Sequence, residues 1–345
     1  MHTIDKEYLL AFADKLLHID SPSGYTMNAI QYMEEEAARL GYSCSRNAKG
    51  NLLIQVEGRD KEHTLALSSH CDTLGLMVRS IKENGYLSVT PIGSPTLPTL
   101  DSEYCRIITR NQKVYTGTIL CTSAAKHVHP EAGSLPRTAE TLEVRIDEMV
   151  KTKEDVLKLG ISNGDYIAID PKTVITDSGF IKSRFLDDKI SCACLFTTLH
   201  YMKEHQITPK QNLLFIFSTY EEVGHGAAWL PQEVDAMLAV DMGCIGLDLS
   251  CTEYDVSICA KDSSGPYDYI MTSKLIELAK KHSLDYAVDI YPMYGSDVSA
   301  ALKGGNNIRG ALIGPGVHAS HGMERTHIKA LQNTIQLLLA YIIEE

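Results

Sequence analysis

The stretch that decides the fold is STYEEVGHG, Ser218 to Gly226, directly after the apolar run Leu213 to Phe217. A short apolar run bounded by polar residues reads as a buried strand. Two adjacent carboxylates, Glu221 and Glu222, stand at its exit. Like charges side by side repel, and removing them from water makes the repulsion worse. Something elsewhere in the chain must compensate them.

Working outward, the same pattern recurs. NLLIQVEG (51–58) and TLALSSH (64–70) are short apolar runs ending in polar residues, after helices predicted at about 5–18 and 26–40 and a break at SPSG (21–24). Beyond them, 187–205 and 273–283 read as helices. Strands are predicted at 212–218, 237–243, 286–292 and 310–314. The segment 324–345 reads as one long amphipathic helix. From about Met77 to Asp177 the texture changes to short alternating runs punctuated by Gly, Pro and Asn, interrupted by a polar stretch at 123–143. The expected architecture is α/β, with a mixed central sheet flanked by helices. This catalytic domain is discontinuous, 1–76 and 175–345, and is split by a small all-β barrel or sandwich at 77–174.

The totals narrow the partners. The chain has 345 residues and a formal net charge of -12, so phosphate backbones are repelled and nucleic acid is not an expected partner. No apolar run reaches the length of a membrane span, and the first twenty residues read as an amphipathic helix, not a signal peptide. Nine scattered cysteines with no C-x-x-C pair suggest reduced thiols in a cytoplasmic protein.

Polar residues collect where these strands end. His70 and Asp72 follow one, Glu221 and Glu222 a second, Asp241 a third, and His318 and His321 a fourth, while Asp187 and Asp188 precede a helix. In open α/β sheets ligands bind beyond the carboxyl ends of the strands. Taken singly, a strand-end Asp is usually a cap and a lone His a satisfied polar residue. Five such sites, all His, Asp or Glu, form the donor set of Zn, Co or Mn. Two divalent cations would offset the carboxylate charge and leave one acid free to handle protons.

In this order, HCDTLGLMV, LDDKIS, YEEVGHGA, VDMG and HGMERTH, with the early SPSGYT, resemble the tetrahedral aminopeptidases along the whole chain. These are cytosolic dinuclear metallopeptidases, also called glutamyl or deblocking aminopeptidases, with endoglucanase-named homologues. The resemblance implies two divalent metal ions, Zn or Co with Mn as a third choice. His70 and Asp241 would bind one, Glu222 and His321 the other, and Asp187 would bridge them. Glu221 would be the general base and acid, and Asp72 would hold the His70 imidazole in its ligating orientation. Ser296 and Asp297, in MYGSDVSA, and His318 would lie near the substrate. The chain departs from the family at Thr73, where Glu is common, and at His318, Ala319 and Gly322 around the last ligand. His321 is preferred to His318 because Glu324 follows it by three residues. Peptide substrates are implied, as is a homo-oligomer in which the β insert dimerises and dimers build a tetrahedral dodecamer.

Three other readings stay open. A dinuclear deacylase or carboxypeptidase would need a basic group for the substrate carboxylate, for which Arg309 is placed only by position. A glucanase would use Glu221 and Glu222 as its acid pair, but such pairs flank a bond and come from different elements. A metal-dependent binding protein would leave the spare glutamate without a task.

Overall fold

Four parallel strands make the middle of a ten-stranded mixed sheet in the computed structural model, which describes residues 2–344. Met1 and Glu345, the outer ends of the two catalytic segments and of the last predicted helix, lie outside the described residues. In spatial order the four are Gln211–Ser218, Asp60–His70, Ala236–Val240 and Arg309–Val317. Their apolar residues are buried on both faces, which is why they read as continuous apolar runs without alternation. Antiparallel strands flank them, Leu52–Val56 on one side and Val256–Asp262 on the other. Ser218 lies opposite His70, Ala239 opposite Ser68, and Val240 opposite Ile313. This register brings the ends of neighbouring strands to one rim of the sheet.

The helix Leu186–Glu204 is buried almost all round, as a helix under a sheet must be. Phe196 joins it to both sides of the core, stacking on Phe12 at 4.5 Å and meeting Phe217 at 4.8 Å. Phe12 belongs to the helix Lys6–Leu17, whose N-cap Asp5 accepts the Tyr8 N–H at 2.9 Å.

Six antiparallel strands, from Gly75–Ile81 to Tyr166–Ile169, close into a barrel with its own core of Leu76, Val78, Val89, Ile107, Val144 and Ile167. Arg106 ties the barrel back to the α/β layer with a two-pronged ion pair to Asp20, at 2.5 and 2.6 Å.

The predicted helix at 324–345 is corrected at its start. Glu324–His327 is a strand that pairs antiparallel with Phe180–Ser183, and the helix begins at Ile328. Burial alternates along ERTH, and pairing outweighs the helical pattern that follows it. Two short helices were not legible, Lys153–Lys158 and Asp297–Lys303. Each is stabilised by a local capping box, at Thr152 and Ser296, and not by a long apolar stripe.

Candidate active site

The strand register delivers its polar ends to one cleft of about 360 Å³. Asp187, Glu221, Glu222, Asp241 and His321 line it, together with Ser94, Gly224, Ser263, Met293, Tyr294 and Gly295. Asp187 sits at its centre. One carboxylate oxygen lies 3.1 Å from His70 Nε2 and the other 3.5 Å from His321 Nε2. The two glutamates take opposite sides, Glu221 at 3.7 Å from His70 Nε2 and Glu222 at 3.7 Å from His321 Nε2. Ligand atoms of His70, Glu221 and Asp241 fall within 4.8 Å of one another, as do those of His70, Asp187 and Glu222.

Both imidazoles are oriented through their second nitrogen. His70 Nδ1 lies 3.0 Å from the Asp72 carbonyl and His321 Nδ1 lies 2.9 Å from the Ser94 carbonyl. A carbonyl only accepts, so each Nδ1 carries a proton, and each Nε2 is left facing the carboxylates, where it donates to Asp187 or is free to meet a cation. Glu324, buried, grips two of the candidate ligands at once: one oxygen accepts the Asp187 N–H and the other the His321 N–H, both at 3.0 Å. Asp188 accepts the His70 N–H at 3.2 Å, which makes it a support for that strand end.

The turn that carries the glutamates is a 3-10 turn, Glu221–Val223, ended by Gly224 in the left-handed region at φ 85°. The Asp72 carboxylate lies beneath it. It accepts the N–H groups of Glu221 at 3.1 Å and Glu222 at 3.3 Å, and the Ser23 hydroxyl. Its nearest oxygen is 3.6 Å from His70 Nδ1, so the backbone of Asp72, and not its side chain, makes the hydrogen bond to that imidazole.

The electrostatics call for added positive charge. Burial, then the charges of neighbouring carboxylates, push Glu221, Glu222 and Asp188 well above the usual carboxylate range, and raise Asp241 to about 7. Burial opposes charge on His70, but its bond to Asp187 and the surrounding carboxylates outweigh it and raise that imidazole. Glu222 Oε1 and Asp188 Oδ1 are buried without a hydrogen-bond partner. Native structures rarely leave such atoms unpaired. Borderline-hard divalent cations fit this donor set of carboxylates and imidazoles, and would pair the orphaned oxygen of Glu222.

Four residues expected at the substrate sit elsewhere. Ser296 is buried and caps the helix Asp297–Lys303, and Asp297 is buried behind the glutamate turn; neither lines the cleft. His318 is exposed, outside the lining, and pairs through its backbone with Arg325. Arg309 opens its strand at the end away from the site, four residues before Ile313, whose carbonyl accepts the Asp241 N–H, and it does not line the cleft. No pattern in the sequence marks Ser94, whose contact comes from a loop of the β insert. Met293 and Tyr294, which wall the cleft, were also missed; their nearest signal was their place in MYGSDVSA.

Comparison with known proteins gives the family and the fold. The family model described as M42 glutamyl aminopeptidase matches residues 50–337. The protein named "Putative aminopeptidase YhfE" of Bacillus subtilis (strain 168) is 45% identical over 329 residues, covering 95% of each chain. Lysyl aminopeptidase of Pyrococcus furiosus is 22% identical over 86% of this chain and 85% of its own. Among solved structures, aminopeptidase APDkam598 from Desulfurococcus kamchatkensis aligns with a TM-score of 0.87 at 22% identity, over 98% of this chain and 95% of that one. The Pyrococcus horikoshii TET1 peptidase, which can assemble into a tetrahedron or a large octahedral shell, aligns at 0.85 and 20% identity, over 98% and 100%. These structures share the mixed α/β fold.

Proposed function

The chain belongs to the M42 glutamyl aminopeptidase family and is an aminopeptidase, and from that premise we propose that it works through a dinuclear metal centre with Glu221 as the proton carrier. The observation that carries this reading is the placement of Asp187, whose two oxygens each face a different imidazole Nε2, at 3.1 and 3.5 Å. That is the arrangement a carboxylate shared by two cations requires. In this reading His70 and Asp241 would hold one cation and Glu222 and His321 the second, with Asp187 shared between them. Zn or Co suits the donors best, and Mn also fits.

Bound cations would acidify the attacking water, polarise the scissile carbonyl and receive the free α-amine of the peptide. Glu221 takes the proton of the attacking water and later delivers one to the leaving amine. Burial supports this, because it raises that carboxyl above its usual range, the direction that suits a group which takes up and returns a proton. Asp72 fixes the backbone under Glu221, and the Asp72 and Ser94 carbonyls fix the ligating faces of the imidazoles.

The barrel at 77–174 is assigned to dimerisation, with dimers building a hollow dodecamer that admits peptides. The likeness to an assembling TET1 peptidase supports this, and mass measurement in solution tests it. All nine cysteines are free thiols, which supports a cytoplasmic setting. No described helix is long and apolar enough to cross a membrane.

The test is a panel of aminoacyl-p-nitroanilides beside N-acetylated controls, with EDTA and with added Co or Zn. Metal-dependent cleavage of only the free-amine substrates is expected. Glu221→Gln should keep its metals and lose roughly 10²–10⁴-fold in kcat. Normal turnover in that variant removes Glu221 from the role.

A further inference from the structure

Asp297 stands behind the cleft, yet it fastens both ends of the turn that carries the two glutamates. Its side chain is buried, 3% exposed. One oxygen accepts the Ser218 hydroxyl at 2.7 Å and the other accepts the Ala227 N–H at 2.9 Å. Ser218 is the last residue of the strand before the turn, and Ala227 is the first residue after Gly226. Two acceptor atoms on one rigid group thus close the loop at its entry and its exit. The packing is tight: a Cβ added at Gly226 would lie 2.5 Å from Asp297 Oδ1 and 2.8 Å from Ser218 Oγ.

The anchor is itself anchored. Asp297 is the first residue of the helix Asp297–Lys303, where the Ser296 N–H donates to Ser299 Oγ at 3.1 Å. Ser299 in turn donates to the buried Asp262 at 2.6 Å, and Tyr267 donates to the same oxygen at 2.7 Å. The loop just before this helix, Met293 to Gly295, forms a wall of the cleft. One buried carboxylate therefore ties the glutamate turn to the substrate-facing loop. Asp72 acts on a different part of the turn, the N–H groups of Glu221 and Glu222 themselves.

We propose that Asp297 is a positioning residue for catalysis: it fixes the Glu221 turn relative to the Met293–Gly295 wall, so that proton acceptor and bound peptide keep register. The proposal rests on Glu221 being the proton carrier. A misplacement of about 1 Å at such a group costs on the order of 10²-fold in rate. Asn at this position would keep the Ala227 bond and could donate to Ser218 Oγ, holding the frame without the charge.

The experiment uses the metal-loaded full-length enzyme on whichever aminoacyl-p-nitroanilide of the panel it cleaves best. It measures kcat, KM and bound metal for Asp297→Ala, Asp297→Asn, Ser218→Ala and Glu221→Gln. Asp297→Ala should lose about 10²-fold in kcat, with KM within about threefold and wild-type metal content. Asp297→Asn should stay within about tenfold of wild type, and Ser218→Ala should fall between the two. Wild-type kcat in Asp297→Ala overturns the proposal. So does an equal loss in Asp297→Asn, or a change confined to KM. Should Asp297→Ala not fold, Ser218→Ala decides, since it removes one bond only and normal kcat there overturns the proposal. Turnover surviving in Glu221→Gln would instead overturn the underlying reading, whatever the Asp297 variants do.

Discussion

Stripping the metal from this chain should make its stability fall as pH rises. Burial, then the Asp187 charge, lifts Glu324 from 4.5 to about 8 and Asp241 from 3.8 to about 7. The unfolded chain releases those protons above about pH 4, while the folded chain holds them, so unfolding gains with pH across that interval. For His321 burial opposes charge, but its bond to Asp187 prevails and raises it to about 10. A raised imidazole stabilises fully below its unfolded value and loses that stabilisation as pH rises, so it acts in the same direction. Asp187 is held well below the usual range by both imidazoles despite its burial, and its contribution is lost only in more acidic solution. Between pH 5.5 and 8 the signs therefore agree. Glu324 alone contributes about 3 kcal/mol over those 2.5 units, at about 1.36 kcal/mol per unit. For a chain of this length that is roughly a 4 °C fall in Tm. Scanning calorimetry of the chelated protein at both pH values, repeated with Zn, measures it. The loaded protein should lose the slope, with the larger gain from metal at pH 8. A chelated Tm that is equal or higher at pH 8 refutes the reasoning.

Three substitutions probe the rest of the site. Asp187→Ala should bind less than the wild-type metal content by elemental analysis; retention of two ions per subunit refutes the bridging role. Glu324→Ala strands the N–H groups of Asp187 and His321, so denaturant unfolding should show a loss of about 1–3 kcal/mol per group; a change below about 0.5 kcal/mol counts against the grip. Gly226→Ala must displace Asp297 or Ser218, so about 1–3 kcal/mol of stability should go, with turnover falling alongside; unchanged Tm and kcat would show the turn is not that tight.

The rival readings meet different obstacles in the fold. Glu221 and Glu222 share one 3-10 turn, whereas a glycosidase pair must stand on either side of a bond. Arg309, the basic group a carboxypeptidase would need, opens its strand at the end away from the cleft. The spare acid beside the proposed ligand set is the feature that separates a catalyst from a metal-dependent binding protein, and the Glu221→Gln variant isolates it.

By itself the sequence determined the layers and the chemical inventory. Buried parallel strands must be apolar on both faces, so the runs at Leu65, Leu213 and Met237 announced themselves, and carboxylates and imidazoles at their ends are conspicuous because burying them is costly. Tertiary structure alone decided the distances and the supporting contacts. The strand register set His70 opposite Ser218, and pairing with Phe180–Ser183 turned Glu324 inward to hold the backbone of Asp187 and His321. Ser94 reached His321 from a loop of the β insert. Asp297 moved from the expected substrate wall to the back of the turn that carries Glu221 and Glu222. Local patterns encode which face of an element is buried, but a hydrogen bond between residues far apart in the chain leaves no periodic trace in either segment. The partner of a buried polar group is chosen by the fold.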